Sequence, residues 1–143
     1  MNRRTFLSLV FLSGIVLFGL TSLGTLYGYV LPRPNLVNLG PVANFPPRDS
    51  PYFIRGKKPV FVVNTGENFL VLVAVPPHHK ACIAWWMAED KKYMDPCLGS
   101  QFYLDGTYIL GPPPRNMDQY AYQIDNGDLL VNFDKKILGQ PHP

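Results

Sequence analysis

The sequence predicts an all-β fold class, an antiparallel β domain carried on one apolar N-terminal helix. Three observations predict it. From Thr5 to Leu31 there is no charged side chain. Beyond residue 43 the apolar residues come in short runs and period-two patterns, separated by Asn–Thr–Gly, Asp–Gly and Asp–Asn–Gly turns. Fifteen prolines and twelve glycines punctuate the chain, which suits loops and strands better than a helical bundle.

The helix comes first. A membrane span needs about 20 apolar residues, and residues 5–31 exceed that. The run outlasts the short apolar core of a cleaved secretory signal, and no small-x-small cleavage site follows, so an uncleaved anchor over residues 1–31 is expected. Arg3-Arg4-Thr5-Phe6-Leu7 resembles a twin-arginine export signal; the alternative is an ordinary signal anchor. Arg3 and Arg4 precede the span and Arg33 follows it, a weak bias toward a cytoplasmic N-terminus. Gly24 and Gly28 have the spacing that lets a second helix approach closely. Residues 32–42, with prolines at 32, 34 and 41 and a glycine at 40, are predicted to be a stiff linker. The outer domain is expected over 43–143.

Within that domain, Pro59–Val63 and Phe69–Val75 flank the turn residues Asn64–Asn68 and read as a hairpin. Cys82–Trp86 reads as a third strand. Gln101–Leu104 and Thr107–Leu110 flank Asp105-Gly106, and Tyr120–Ile124 and Leu129–Phe133 flank Asp125-Asn126-Gly127-Asp128. Both are hairpin signatures. Beyond the anchor no stretch has a convincing helical period.

Composition excludes some functions. The chain of 143 residues is long enough for one compact domain. Net charge is +3, and Arg3 and Arg4 supply much of it at the N-terminus; the remainder has no basic stripe, so nucleic-acid binding is not indicated. No Ser/His/Asp or Cys/His catalytic set, Gly-rich phosphate loop or informative acid–base pair is readable. Trp85 and Trp86 suit core or interface positions of a β domain.

Two stretches stand out: PPHHKAC at 76–82 and DPCLGSQF at 95–102. Their spacing is that of a metal site, with too few ligands to hold one. His78, His79 and Asp95 could supply a mononuclear zinc or iron site. Against this, adjacent histidines tend to diverge, and the plainer expectation is an exposed His78 and a packed His79.

These residues carry a resemblance. The chain resembles the Rieske iron–sulfur proteins of quinol–cytochrome oxidoreductases over nearly its whole length, most strongly from Val75 to Phe133. That family holds a [2Fe–2S] cluster with two cysteines and two histidines in loops of the pattern C-x-H-x-G-C and C-x-C-H-G-S. On that pattern Pro77 stands at a ligand cysteine, His79 at a ligand histidine, Asp95 at the second ligand cysteine and Leu98 at the second ligand histidine. Only His79 matches. Ala81 replaces a glycine, whereas Gly99 and Ser100 match, and Gly111–Arg115 resembles the proline loop beside the cluster. Cys82 and Cys97 match the cysteines that the family pairs as a disulfide, and the resemblance implies that pairing here; two free buried cysteines are the alternative.

The resemblance therefore implies the scaffold without the cofactor. No [2Fe–2S] cluster, no metal site and no catalytic residue is expected. Pro77 and Leu98 are expected to fill the vacated apolar site, and Asp95 to cap a loop amide, pair with Lys80 or His79, or face solvent. The implied protein is a non-redox, non-enzymatic accessory subunit of a respiratory or photosynthetic electron-transport complex. Its partners would be integral membrane subunits, including cytochrome or reaction-centre subunits, and the bilayer. It would sit in a plasma, inner or thylakoid-type membrane with the β domain on the periplasmic or outer side. The alternatives are an electron-transfer subunit that retains a metal centre through His79, Asp95 and a partner's ligand, or an outer-face domain that binds a soluble electron carrier.

Overall fold

The computed structural model describes residues 2–30, 34–78 and 81–142. The chain divides into two units, residues 1–33 and 34–143, each described by itself.

The first unit is helix α1, Arg3–Val30. A helix of 28 residues rises about 42 Å, more than the roughly 30 Å of a bilayer's hydrocarbon core. None of its residues is buried within the chain. Four of its hydroxyls bond back to the helix itself: Ser8 donates to the carbonyl of Thr5, Ser13 to Val10, Thr21 to Leu17 and Thr25 to Thr21. Self-satisfied polar groups are what lipid requires of a spanning segment.

The second unit holds two antiparallel sheets. The larger has six strands in the order β1-β10-β9-β4-β3-β2, with β1 at Leu36–Pro41, β2 at Tyr52–Ile54, β3 at Val60–Asn64, β4 at Phe69–Val73, β9 at Gln119–Asp125 and β10 at Asp128–Ile137. The smaller runs β5-β6-β7-β8, with β5 at Trp85–Met87, β6 at Lys92–Met94, β7 at Gln101–Tyr103 and β8 at Tyr108–Leu110.

Strands β3 and β4 explain the architecture. Their residues alternate between two separate cores. Val60, Val62, Val71 and Val73 pack with Phe45, Tyr120, Leu129 and Val131. Phe61, Val63, Leu72 and Ala74 pack with Ala84, Tyr93, Phe102 and Met117. A strand buried on both faces reads in sequence as an unbroken apolar run, which is what Val60–Val63 and Phe69–Val75 are.

Hairpin chemistry follows the turn residues. Gly66 and Gly106 lie at φ +91° and +85°, and the Gly106 N–H donates to the carbonyl of Tyr103. Asn126 and Gly127 are both left-handed, at φ 50° and 84°, as the two-residue turn between β9 and β10 demands.

The structure corrects three sequence expectations. Residues 36–41 are not linker but edge strand β1, paired with β10. Pro41 ends the strand, where an edge tolerates a missing donor. Gly40 lies at φ +104° where the register with β10 shifts between Asn38 and Pro41. Cys82–Ala84 form no strand; β5 begins at Trp85. Strands β2 and β6, three residues each, were not foreseen, being too short to show a period.

Candidate functional site

The two singled-out stretches become facing loops. The first leaves β4 at Val73 and returns to β5, its exit pinned by an Ala84 N–H to Ala74 carbonyl bond of 2.8 Å. The second is the connection between β6 and β7, whose register pairs Met94 with Gln101. It closes on itself, with the Asp95 N–H donating to the Ser100 carbonyl at 2.8 Å and the Gly99 N–H to the Asp95 carbonyl at 2.9 Å.

Asp95 is the centre of the site. Its side chain is fully buried. One carboxylate oxygen accepts the Cys97 N–H at 3.0 Å, and the other lies 3.2 Å from Nε2 of His78. That same imidazole nitrogen is 3.4 Å from Oγ of Ser100. A buried carboxylate costs several kcal/mol unless it is paired and hydrogen-bonded; here the opposite loop supplies the partner. Cys82 and Cys97 add a covalent tie, a disulfide with Cα atoms 6.4 Å apart.

The proline loop closes one side. Gly111 lies at φ +113°, and a Cβ there would come within 2.7 Å of the Ser100 Cα, so only glycine allows this approach. His142 stacks on Tyr108 at 3.7 Å between ring centroids, and its Nε2 lies 2.6 Å from the Pro113 carbonyl. Behind this loop Asp118, also fully buried, meets Arg115 at 2.8 Å, Lys136 at 2.8 Å and the Gly139 N–H at 3.0 Å. Burial works to raise its carboxyl, but these partners outweigh burial and hold it at about 2. Burial pushes the phenol of Tyr93 well above its ordinary value, and Asp105 adds to the effect.

The predicted residues are brought together unevenly. Pro77 is half-buried, Asp95 is buried and Leu98 is 55% exposed, so Leu98 fills no cavity. The anticipated role of His78 is corrected: it is not exposed, has a side chain only 9% exposed and is the partner of Asp95. No local signal in the sequence marked His78 to turn inward. His79 and Lys80 lie outside the described residues. Trp86 packs edge-on against Tyr93 at 5.0 Å, whereas Trp85 is 54% exposed. Gly24 and Gly28 are not required by packing within this chain, since a Cβ at either would meet no atom.

The donor set does not fit a [2Fe–2S] cluster. Both cysteines of the chain are joined in the disulfide and none is free, so no thiolate is left for iron. The side chains of Pro77 and Leu98 carry no donor atom, and Asp95 offers a carboxylate where the cluster pattern needs a thiolate. Atoms of Cys82, Asp95 and Cys97 lie within 4.8 Å of one another, but disulfide sulfurs are not the thiolates a metal takes.

No family model matches the chain. It is 26% identical over 137 residues to the cytochrome b6-f complex iron–sulfur subunit of Chlorobaculum thiosulfatiphilum, covering 92% of this chain and 75% of that one. The subunit of the same name from Chlorobaculum tepidum is also 26% identical, over 92% of this chain and 76% of its own length. A solved chain of a hyperthermophilic respiratory Complex III has the same fold, with a TM-score of 0.50 at 22% identity, over 82% of this chain and 97% of that one.

This chain resembles the Rieske iron–sulfur proteins in sequence and in fold, and three of their four cluster-ligand residues are replaced in it. A second fold match is a chain of the oxygenase–ferredoxin complex of carbazole 1,9a-dioxygenase, which aligns over 74% of this chain and 99% of its own, with a TM-score of 0.53 at 16% identity. The Rieske architecture here is the six-stranded sheet with the smaller four-stranded sheet inserted between β4 and β9. The two facing loops border that smaller part, one leading from β4 to β5 and the other joining β6 to β7.

Proposed function

We propose that this chain is a cluster-free structural subunit of a membrane electron-transport complex of the cytochrome b6-f or Complex III kind, and that it neither carries electrons nor catalyses a reaction. The observation that carries the proposal is the state of the cysteines: the only two in the chain are bonded to each other. What remains is a Rieske scaffold whose loops are tied by a disulfide and a buried histidine–carboxylate pair.

Kinship supports the setting. Two relatives named as cytochrome b6-f iron–sulfur subunits align over 92% of this chain, a span that must include part of the apolar helix. That helix is long and apolar enough to cross a membrane. In this reading residues 1–31 anchor the protein, with Arg3 and Arg4 on the cytoplasmic side as part of a twin-arginine-type signal, and the β domain lies on the outer side. The face bearing Gly24 and Gly28 packs against a membrane helix of the complex.

The test is isolation of the full-length protein in mild detergent under native conditions, followed by mass spectrometry of what accompanies it. Co-purification in fixed ratio with cytochrome or reaction-centre subunits is the expected result. Recovery alone overturns the structural role. Iron analysis and electron paramagnetic resonance of the reduced sample check the other half: a Rieske-type signal from this chain overturns the cluster-free reading. Gly24→Leu with Gly28→Leu is expected to release the protein from its complex while leaving the β domain folded.

A further inference from the structure

The disulfide form is not the only form of this site. Every newly made chain carries Cys82 and Cys97 as thiols. In that form the sulfurs face a buried carboxylate that is already oriented. We propose that the thiol form binds one borderline-soft divalent cation of the zinc class through Cys82 Sγ, Cys97 Sγ and the carboxylate of Asp95.

Four features of the structure carry this. One ligand atom from each of the three residues lies within 4.8 Å of the others, and the ligand–ligand edge of a tetrahedral zinc–thiolate site is about 3.7 Å for bonds of about 2.3 Å. The Cα separation of 6.4 Å lets the sulfurs part to that distance by side-chain rotation once the bond is absent. Asp95 is fully buried, held by the Cys97 N–H, and faces Nε2 of His78 at 3.2 Å. Carboxylates that ligate a metal are themselves held by outer hydrogen bonds, and His78 and the Cys97 N–H are placed to supply them here. Finally, Pro96, Cys97 and Leu98 are exposed, which leaves a fourth coordination position open to water. Asp95 stands at a ligand position of the Rieske pattern, but positions 82 and 97 do not, so the ligand set differs from that of the cluster site. It also departs from the expectation that the chain holds no metal.

The chemistry balances simply. Two thiols and a divalent cation give the dithiolate complex and two protons. Later transfer of two electrons to a disulfide oxidant, itself reduced to a dithiol, forms the Cys82–Cys97 bond and releases the cation. The metal thus ties the two loops before the disulfide does. This inference is independent of the subunit role.

The test uses the full chain in detergent. A trialkylphosphine and water convert the disulfide to two thiols and a phosphine oxide; after removal of the reagent without air, Co2+ is titrated in and then displaced by Zn2+. The expected result is one Co2+ per chain, a thiolate-to-cobalt charge-transfer band and intense tetrahedral d–d bands, all absent from the oxidised protein. Asp95→Asn is expected to weaken binding at least about tenfold and His78→Gln about tenfold. Cys97→Ser, at an exposed position that tolerates the change, is expected to abolish the charge-transfer band. No band on reduction, a band that survives Cys97→Ser, or an affinity unchanged in a folded Asp95→Asn protein would each overturn the proposal.

Discussion

Strands β3 and β4 and the two facing loops lie next to each other in the chain but are held by opposite means. The strands are fixed by apolar burial on both faces, with Val60, Val62, Val71 and Leu72 fully inaccessible. The loops have few apolar contacts. Their ties are a disulfide, one buried histidine–carboxylate pair, and a glycine that admits close approach. The difference teaches why the scaffold needs no iron: the strands are fixed by burial alone, and the loops are bridged by the disulfide and by the His78–Asp95 pair.

The largest expected effect comes from the strand side. Leu72→Ala removes a side chain that packs in the core with Phe61, Tyr93, Phe102 and Met117 and should cost about 3 kcal/mol or more. Denaturant unfolding of the full chain in detergent measures it, and hydrogen exchange should show both sheets loosened. A loss confined to the loops would break the comparison.

Next is the covalent tie. Changing Cys82 and Cys97 together to Ser opens a loop with a sequence separation of 15 and should cost about 3 kcal/mol in the chain-entropy model. Here hydrogen exchange should rise at 76–82 and 95–100 and stay low in β3 and β4.

Asp95→Ala comes third. It leaves the Cys97 N–H without its acceptor and His78 without its carboxylate, at about 2 kcal/mol. Replacing His78 and Asp95 together by apolar residues should cost less than the sum of the single changes. Additive costs would show that the two loops are not coupled through this pair.

The smallest effect is conditional on pH. Asp118 has a folded-state value of about 2, below its ordinary 3.8. A depressed carboxyl stabilises the fold above its unfolded value, and that contribution is lost as pH falls through the folded value. It amounts to about 2 kcal/mol at neutral pH and should fade between about pH 4 and 2. In Asp118→Asn this part of the acid dependence should vanish, as read from melting temperature against pH; an unchanged profile would place the sensitivity elsewhere, on the loops.

Much of this was legible in the chain. The helix, the three hairpins and their turns follow from local chemistry: uncharged length, apolar alternation, and Asn or Gly where φ is positive. The missing cluster ligands are equally local, since Pro77 and Leu98 offer no donor in any conformation. Edge strand β1 was hidden because Gly40 and Pro41 are linker residues by composition, and only pairing with β10 makes them strand. Leu98 was expected inside, but its loop closes through its own backbone and turns that side chain to solvent.

The residue types and their near neighbours thus fixed the apolar helix, the β class and the lack of a complete Rieske ligand set. Tertiary structure alone decided that His78 meets Asp95, whereas the Cys82–Cys97 disulfide is the one the resemblance implied. Tertiary structure also decided that β3 and β4 are buried twice over. Those outcomes depend on which loop faces which across long sequence separations, and no local pattern encodes that distance.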